Sequence, residues 1–156
     1  MSRRRKILER QIYPDPKYHS LVLSKFINVI MMRGKKSLAE HIVYNALDIL
    51  GKKTGKEPLE VFLQAIDNVK PLIKVVSRRV GGSNYQIPTE VTHKNAQALA
   101  FRWLITFSRN RSEKTMTEKL ANELLAAYKK EGSSIKKRED THKMAEANKA
   151  FAHFRF

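Results

Sequence analysis

Apolar positions in this chain recur at helical spacing everywhere except between Lys70 and Thr92. Val22, Phe26, Val29 and Ile30 form a first stripe, with Ser20 placed to cap it and Gly34 as its C′ glycine. Leu38, Ile42, Ala46, Ile49 and Leu50 form a second. Ser37–Glu40 matches a capping box for it, Lys35 is the alternative start, and Gly51 is expected to stop it. Leu59, Phe62, Leu63, Ile66 and Val69 make a third, opened by Pro58 and closed by Lys70-Pro71. Beyond the exception, Thr92 caps a fourth helix with Ala96, Leu99, Ala100, Trp103, Leu104 and Phe107 inward. Thr115–Glu118 is a second capping box, and Met116, Leu120, Leu124, Leu125 and Tyr128 follow it. After Gly132-Ser133-Ser134, Ile135–Ala150 reads as a sixth helix with a weak stripe, crossed by Lys136, Lys137, Arg138 and Lys143. A helix this polar gains little from packing on a core and suits a charged partner.

The exception, KPLIKVVSRRVGGSNYQIPTEVT, is rich in β-branched residues around Gly81-Gly82 and predicts a β-hairpin. A two-residue loop sets Val80 opposite Ser83, Arg78 opposite Tyr85, Val76 opposite Ile87 and Leu72 opposite Val91. Pro88 then faces Val75 at a non-hydrogen-bonded pair, where its missing N–H costs the ladder nothing. A three-residue loop would put Pro88 where a donor is needed; a four-residue loop is also allowed. Leu72, Ile73 and Val91 can lean on the helices. Arg78 and Arg79, being adjacent, point to opposite faces, so the tip is basic on both sides. A two-stranded ribbon alone is marginal in water. Residues 78–86 are therefore expected to be mobile in the free protein and ordered by an anionic partner.

The predicted architecture is mainly α: about six helices in a bundle, with a protruding two-stranded antiparallel hairpin between the third and fourth. One domain is expected over 1–156. It divides into a basic extended arm (1–16), three helices (17–71), the hairpin (72–91), three helices (92–150) and a tail (151–156). Tyr13-Pro14-Asp15-Pro16 belongs to the extended lead-in, because each residue before a proline is pushed out of the helical region.

Charge changes the picture. The chain has 31 Lys and Arg against 15 Asp and Glu, a net charge of +16. A charge that large calls for a polyanionic partner. There is no Cys, hence no disulfide, thiolate site or Cys nucleophile. No apolar run has the length of a signal peptide or a membrane span, so the cytoplasm is the expected location. The five His residues lack metal-ligand spacing. Gly51–Lys56 looks like a phosphate loop, but it is one residue short, Glu57 replaces the hydroxyl residue and no strand precedes it. It reads as a polar interhelix loop. No catalytic constellation, cofactor, metal or small-molecule substrate is implied.

Three blocks carry a resemblance. RRVGGSNYQIP (Arg78–Pro88), MMRGKKSLAEHIVYNAL (Met31–Leu47) and REDTHKMAEANKAFAHFR (Arg138–Arg155) resemble signatures of the bacterial-type small-subunit ribosomal protein seven family. The similarity runs through essentially the whole chain, departing at Phe156, where the family often carries Trp. It implies binding to the 3′ major domain of small-subunit ribosomal RNA early in head assembly. It also implies proximity to the exit-site tRNA and the mRNA path, with a neighbouring small-subunit ribosomal protein as partner.

Charge and resemblance together nominate Arg3, Arg4, Arg5, Lys6, Arg10, Lys35, Lys36, Arg78, Arg79, Gly81, Gly82, Tyr85, Arg109, Arg111 and Lys114 as rRNA contacts. Lys136, Lys137, Arg138, His142, Lys143, His153 and Arg155 are candidates for rRNA or tRNA. Two rival classes are a helical DNA-binding regulator and a membrane-surface protein. A regulator concentrates its basic residues on a recognition helix, whereas here they are dispersed. A surface helix needs a broad apolar face, and the most basic helix here has the narrowest.

Overall fold

A computed structural model describes residues 11–154. Within them the chain forms α1 (Leu21–Ile30), α2 (Lys36–Thr54) and α3 (Pro58–Val69). The hairpin β1 (Ile73–Val80) and β2 (Ser83–Glu90) follows, then α4 (His93–Arg109), α5 (Met116–Tyr128) and α6 (Ser133–Ala147). A 3₁₀ helix, Lys149–Phe154, comes last. The order is the expected one. Arg3, Arg4, Arg5, Lys6, Arg10, Arg155 and Phe156 lie outside the described residues.

The local signals hold at several helix ends. The Ser20 hydroxyl accepts from Leu23 N–H at the start of α1, and Thr115 and Glu118 close a reciprocal capping box on α5. Pro58 opens α3. Ends differ from expectation in α1, in α2 and in α6, which spans Ser133–Ala147 instead of Ile135–Ala150. α1 stops at Ile30, and Gly34, with φ of 75°, serves the turn into α2 instead of capping α1. The Ser37–Glu40 box does not form; α2 starts at Lys36 with Lys35 as its N-cap and no side-chain cap bond. Gly51 does not stop α2, which runs on to Thr54 and ends at left-handed Gly55. Gly51 has a packing role: a Cβ there would come within 2.9 Å of Pro58 Cγ, so the bare glycine lets α3 turn back closely against α2. The polar connection is correspondingly shorter than the Gly51–Lys56 loop read from the sequence.

α5 packs against α2, α3 and α4, while α1 lies on α2 and α4. The core is continuous across these five helices and takes in Ile135 of α6. Phe26 sits at its centre, edge-on to both Phe62 and Phe101 with ring centroids 5.2 Å apart in each pair. Phe26, Ile30, Ala46, Leu50, Phe62, Ile66, Val69, Leu104, Leu120 and Leu124 are buried as expected, while α1, α2 and α4 also bury residues beside the expected stripe. α1 buries Leu23 and Ile27 and leaves Val29 48% exposed; α2 buries Ala39, Val43 and Leu47 and leaves Leu38 52% exposed. α4 buries Phe101 and Ile105, so Trp103 and Phe107 sit half-buried at the rim. Each helix carries more apolar residues than one neighbour can cover, and packing selects which edge of the stripe is covered.

The hairpin register is the predicted one: Val80↔Ser83, Arg78↔Tyr85, Val76↔Ile87 and Val75↔Pro88. Gly81 and Gly82 take φ of 59° and 90°, which a tight two-residue turn requires. The ribbon's attachment differs from expectation. Leu72 is 73% exposed and Ile73 is also exposed, whereas Ile87 is fully buried. The ribbon is held along its length, because α6 packs on β1 and the 3₁₀ helix packs on β2.

Candidate nucleic-acid interface

The ribbon tip presents Arg78 and Arg79 as exposed side chains. Cross-strand neighbours Tyr85 and Asn84 flank them. Tyr85 does not project freely. Its ring lies 5.4 Å from that of Phe151 at 53°, so the start of the tail packs on the ribbon. The segment without an apolar anchor thus narrows to the turn itself.

Lys35 and Arg109 line one open depression where α1 turns into α2 and α4 ends, and Lys36 opens α2 next in the chain. All three are exposed. Arg109 donates to the Ile30 carbonyl at 3.5 Å, and Lys36 lies 3.8 Å from Glu40. Arg33 joins them from the turn, with φ of 52°. Lys114 is exposed in the α4–α5 loop.

Arg111, in the same loop, is committed within the fold. It donates to Glu113 and to Glu123, each at 2.9 Å. Glu123 is 1% exposed, and its other oxygen accepts from Ser134 N–H and Oγ at 3.2 and 2.6 Å. A carboxylate of α5 therefore caps the N-terminus of α6, where an anion is favoured. Hydrogen bonds from Asn122 and Arg111 hold the Glu113 carboxyl at about 2, well below the ordinary carboxylate range.

α6 is divided in the same way. Lys136, Lys137 and Lys143 are exposed. Arg138 donates to the Asn68 carbonyl at the end of α3, a favourable position for a cation. His142 Nε2 accepts from Leu72 N–H at 3.1 Å, fixing the start of the ribbon. Burial, with Arg138 nearby, keeps the His142 imidazole below its ordinary value, consistent with a neutral acceptor. His153 is exposed on the 3₁₀ helix, its ring nitrogen 2.8 Å from the Ala150 carbonyl.

Sequence reasoning missed Lys25, Lys94 and Arg102. They approach one another only because α1 lies against α4. The one available signal was the spacing of Lys94 and Arg102, about two turns apart on α4. None of the three forms an ion pair among the described residues. Basic side chains thus reach the surface from α1, the α1–α2 turn, α4, the α4–α5 loop, the ribbon tip and α6. Among the described residues no cluster of His, Asp or Glu could hold a metal, and no helix is long and apolar enough to cross a membrane.

A rigid helical core that carries cations on many separate elements defines a basic scaffold protein built for an extended polyanion. The particular family follows from comparison with known proteins. The model of the family Ribosomal protein S7p/S5e matches residues 2–149. The small ribosomal subunit protein uS7 of Nitrosomonas europaea is 59% identical over 156 residues, all of both chains. Those of Mycoplasma mobile and Desulfatibacillum aliphaticivorans are 60% and 58% identical, again over the full length of both. The chain belongs to the ribosomal protein S7p/S5e family. It is a structural ribosomal constituent and not an enzyme.

Proposed function

We propose that this small-subunit ribosomal protein, acting as a single domain, holds the folded 3′ major domain of small-subunit ribosomal RNA early in head assembly. The dispersal of exposed cations over several elements carries the reading. A folded RNA can wrap such a surface, whereas a straight duplex groove would meet one element. In this reading the core fixes the relative positions of α1, α4 and the α1–α2 turn, and phosphates occupy Lys35, Lys36, Arg109 and Lys114. The arm residues Arg3, Arg4, Arg5, Lys6 and Arg10 add phosphate contacts. The ribbon tip, with Arg78, Arg79 and the backbone of Gly81-Gly82, reaches towards the exit-site tRNA and the mRNA path. Lys136, Lys137, Lys143 and the tail around His153 and Arg155 lie towards the tRNA and a neighbouring ribosomal protein. Arg111, Arg138 and His142 act through the fold, by holding α6 and the ribbon in place.

Footprinting and salt titration on the isolated 3′ major domain RNA test the proposal. Log affinity should fall steeply with log salt, as when on the order of six or more phosphates are neutralised. Protection should vanish on an equal length of duplex DNA. A flat salt dependence, or equal binding to DNA, would reject the reading.

A further inference from the structure

Between α1 and α4 runs an open groove of about 420 Å³, within the range of small-ligand sites. Its floor is apolar: Ile12, Val29, Ala98 and Phe101 line it. Its rim is cationic, with Lys25, Lys94 and Arg102 contributing and no carboxylate among the lining residues. Asn28 and Gln97, each with a side-chain amide, also line it. Val29 is 48% exposed although it belongs to the apolar stripe of α1, so the bundle leaves this floor uncovered.

We propose that this groove takes one unpaired nucleotide, its base on the apolar floor, its edge read by Asn28 and Gln97, and its flanking phosphates on Lys25, Lys94 and Arg102. The inference deepens the ribosomal-RNA reading above and rests on it. An apolar peptide would fill the floor equally well, but it gives three cations without ion-pair partners among the described residues nothing to neutralise. A regular RNA helix would satisfy the cations but cannot lay a base on the floor, because its bases are stacked. An extruded base satisfies floor, amides and rim together. The amides matter because a carboxamide both donates and accepts, which matches the mixed edge of a base.

The test uses the full-length protein and short oligoribonucleotides carrying one photoreactive 4-thiouridine, either unpaired or within a duplex. The expected result is cross-linking of the unpaired base to peptides containing residues 25–29 and 97–102, with little from the duplex. Val29→Glu, on an exposed position and so tolerated by the fold, should lower single-strand affinity roughly tenfold while leaving duplex binding nearly unchanged. Asn28→Ala should alter the preference among the four bases without changing the salt slope, a readout that removing a phosphate-binding cation cannot mimic. Equal cross-linking from unpaired and duplex probes would overturn the base groove and leave the ribosomal-RNA reading standing. Absence of binding to any RNA, including the 3′ major domain, would overturn both. Capture of an apolar peptide with no effect of RNA would identify the groove as a protein-docking site and reject the proposal.

Discussion

The five-helix bundle and the ribbon are held by different means. In the bundle, Phe26, Phe62 and Phe101 interlock at the centre of a continuous apolar core. In the ribbon, Ile87 is fully buried yet lies outside that core, and Tyr85 rests on Phe151. A polar link, Leu72 N–H to His142, also ties the ribbon to α6. α6 is the joint between the two, fixed to the bundle by Ile135, by Glu123 at its N-terminus and by Arg138 on the end of α3. From this contrast we expect the bundle to open only globally and the ribbon to open locally.

Four variants probe that contrast. Phe62→Ala should cost about 3–5 kcal/mol in global unfolding, because it leaves its edge-on partner Phe26 facing a cavity that the packed core cannot fully close. A loss below about 1 kcal/mol in denaturant titration would show the bundle is not packed as described. Ile87→Ala should cost about 2 kcal/mol, but locally. Hydrogen exchange should find faster amides across β1 and β2 and unchanged protection in the Ala96–Phe107 part of α4. In the unsubstituted protein the turn at Gly81-Gly82 should exchange fastest within the ribbon. If these amides match α4 in protection, the two regions open together and the contrast fails.

Glu113→Gln gives a smaller effect that depends on pH. The native carboxyl sits at about 2 against an ordinary 4.5. Its stabilisation is therefore complete above about 4.5 and is lost as pH falls towards about 2. Thermal unfolding across that window should show a shallower acid decline for the variant than for the parent. Identical acid limbs would mean the Arg111–Glu113–Asn122 cluster does not persist in solution.

The smallest stability effect is expected for Arg78→Ala with Arg79→Ala. Both side chains are exposed at the tip, and the melting temperature should stay within about 1 °C, in keeping with the small effects of surface changes. Affinity for ribosomal RNA should fall, with the salt slope reduced by about 2, one for each phosphate no longer neutralised. A large drop in melting temperature with intact RNA affinity would make the tip structural.

Much of this was legible along the chain. Gly81-Gly82, alternation and the placement of Pro88 determined the hairpin and its register, because pairing across a two-residue turn is a local matter. Ser20, Pro58 and Thr115 marked helix starts for the same reason. The choice of buried edge on each helix was not legible. Leu23, Ile27, Phe101 and Ile105 are as apolar as the neighbours that stayed outside, and only the approach of a second helix separates them. Gly51 shows the same limit: it reads as a stop, and only the return of Pro58 reveals it as a point of contact.

For the candidate interface the division falls between having charge and having it available. The sequence by itself determined an excess of cations dispersed over the whole chain, and with it a polyanionic partner. Which cations remain for that partner was decided by tertiary structure alone. Arg111 and Arg138 look like their neighbours in sequence, yet Glu123 and the Asn68 carbonyl engage them from other helices. Lys25, Lys94 and Arg102 carry no distinguishing pattern, yet packing of α1 on α4 gathers them around one groove without a carboxylate. An ion pair needs its partner within about 4 Å, and that distance between remote residues is set by helix packing, which no local pattern encodes.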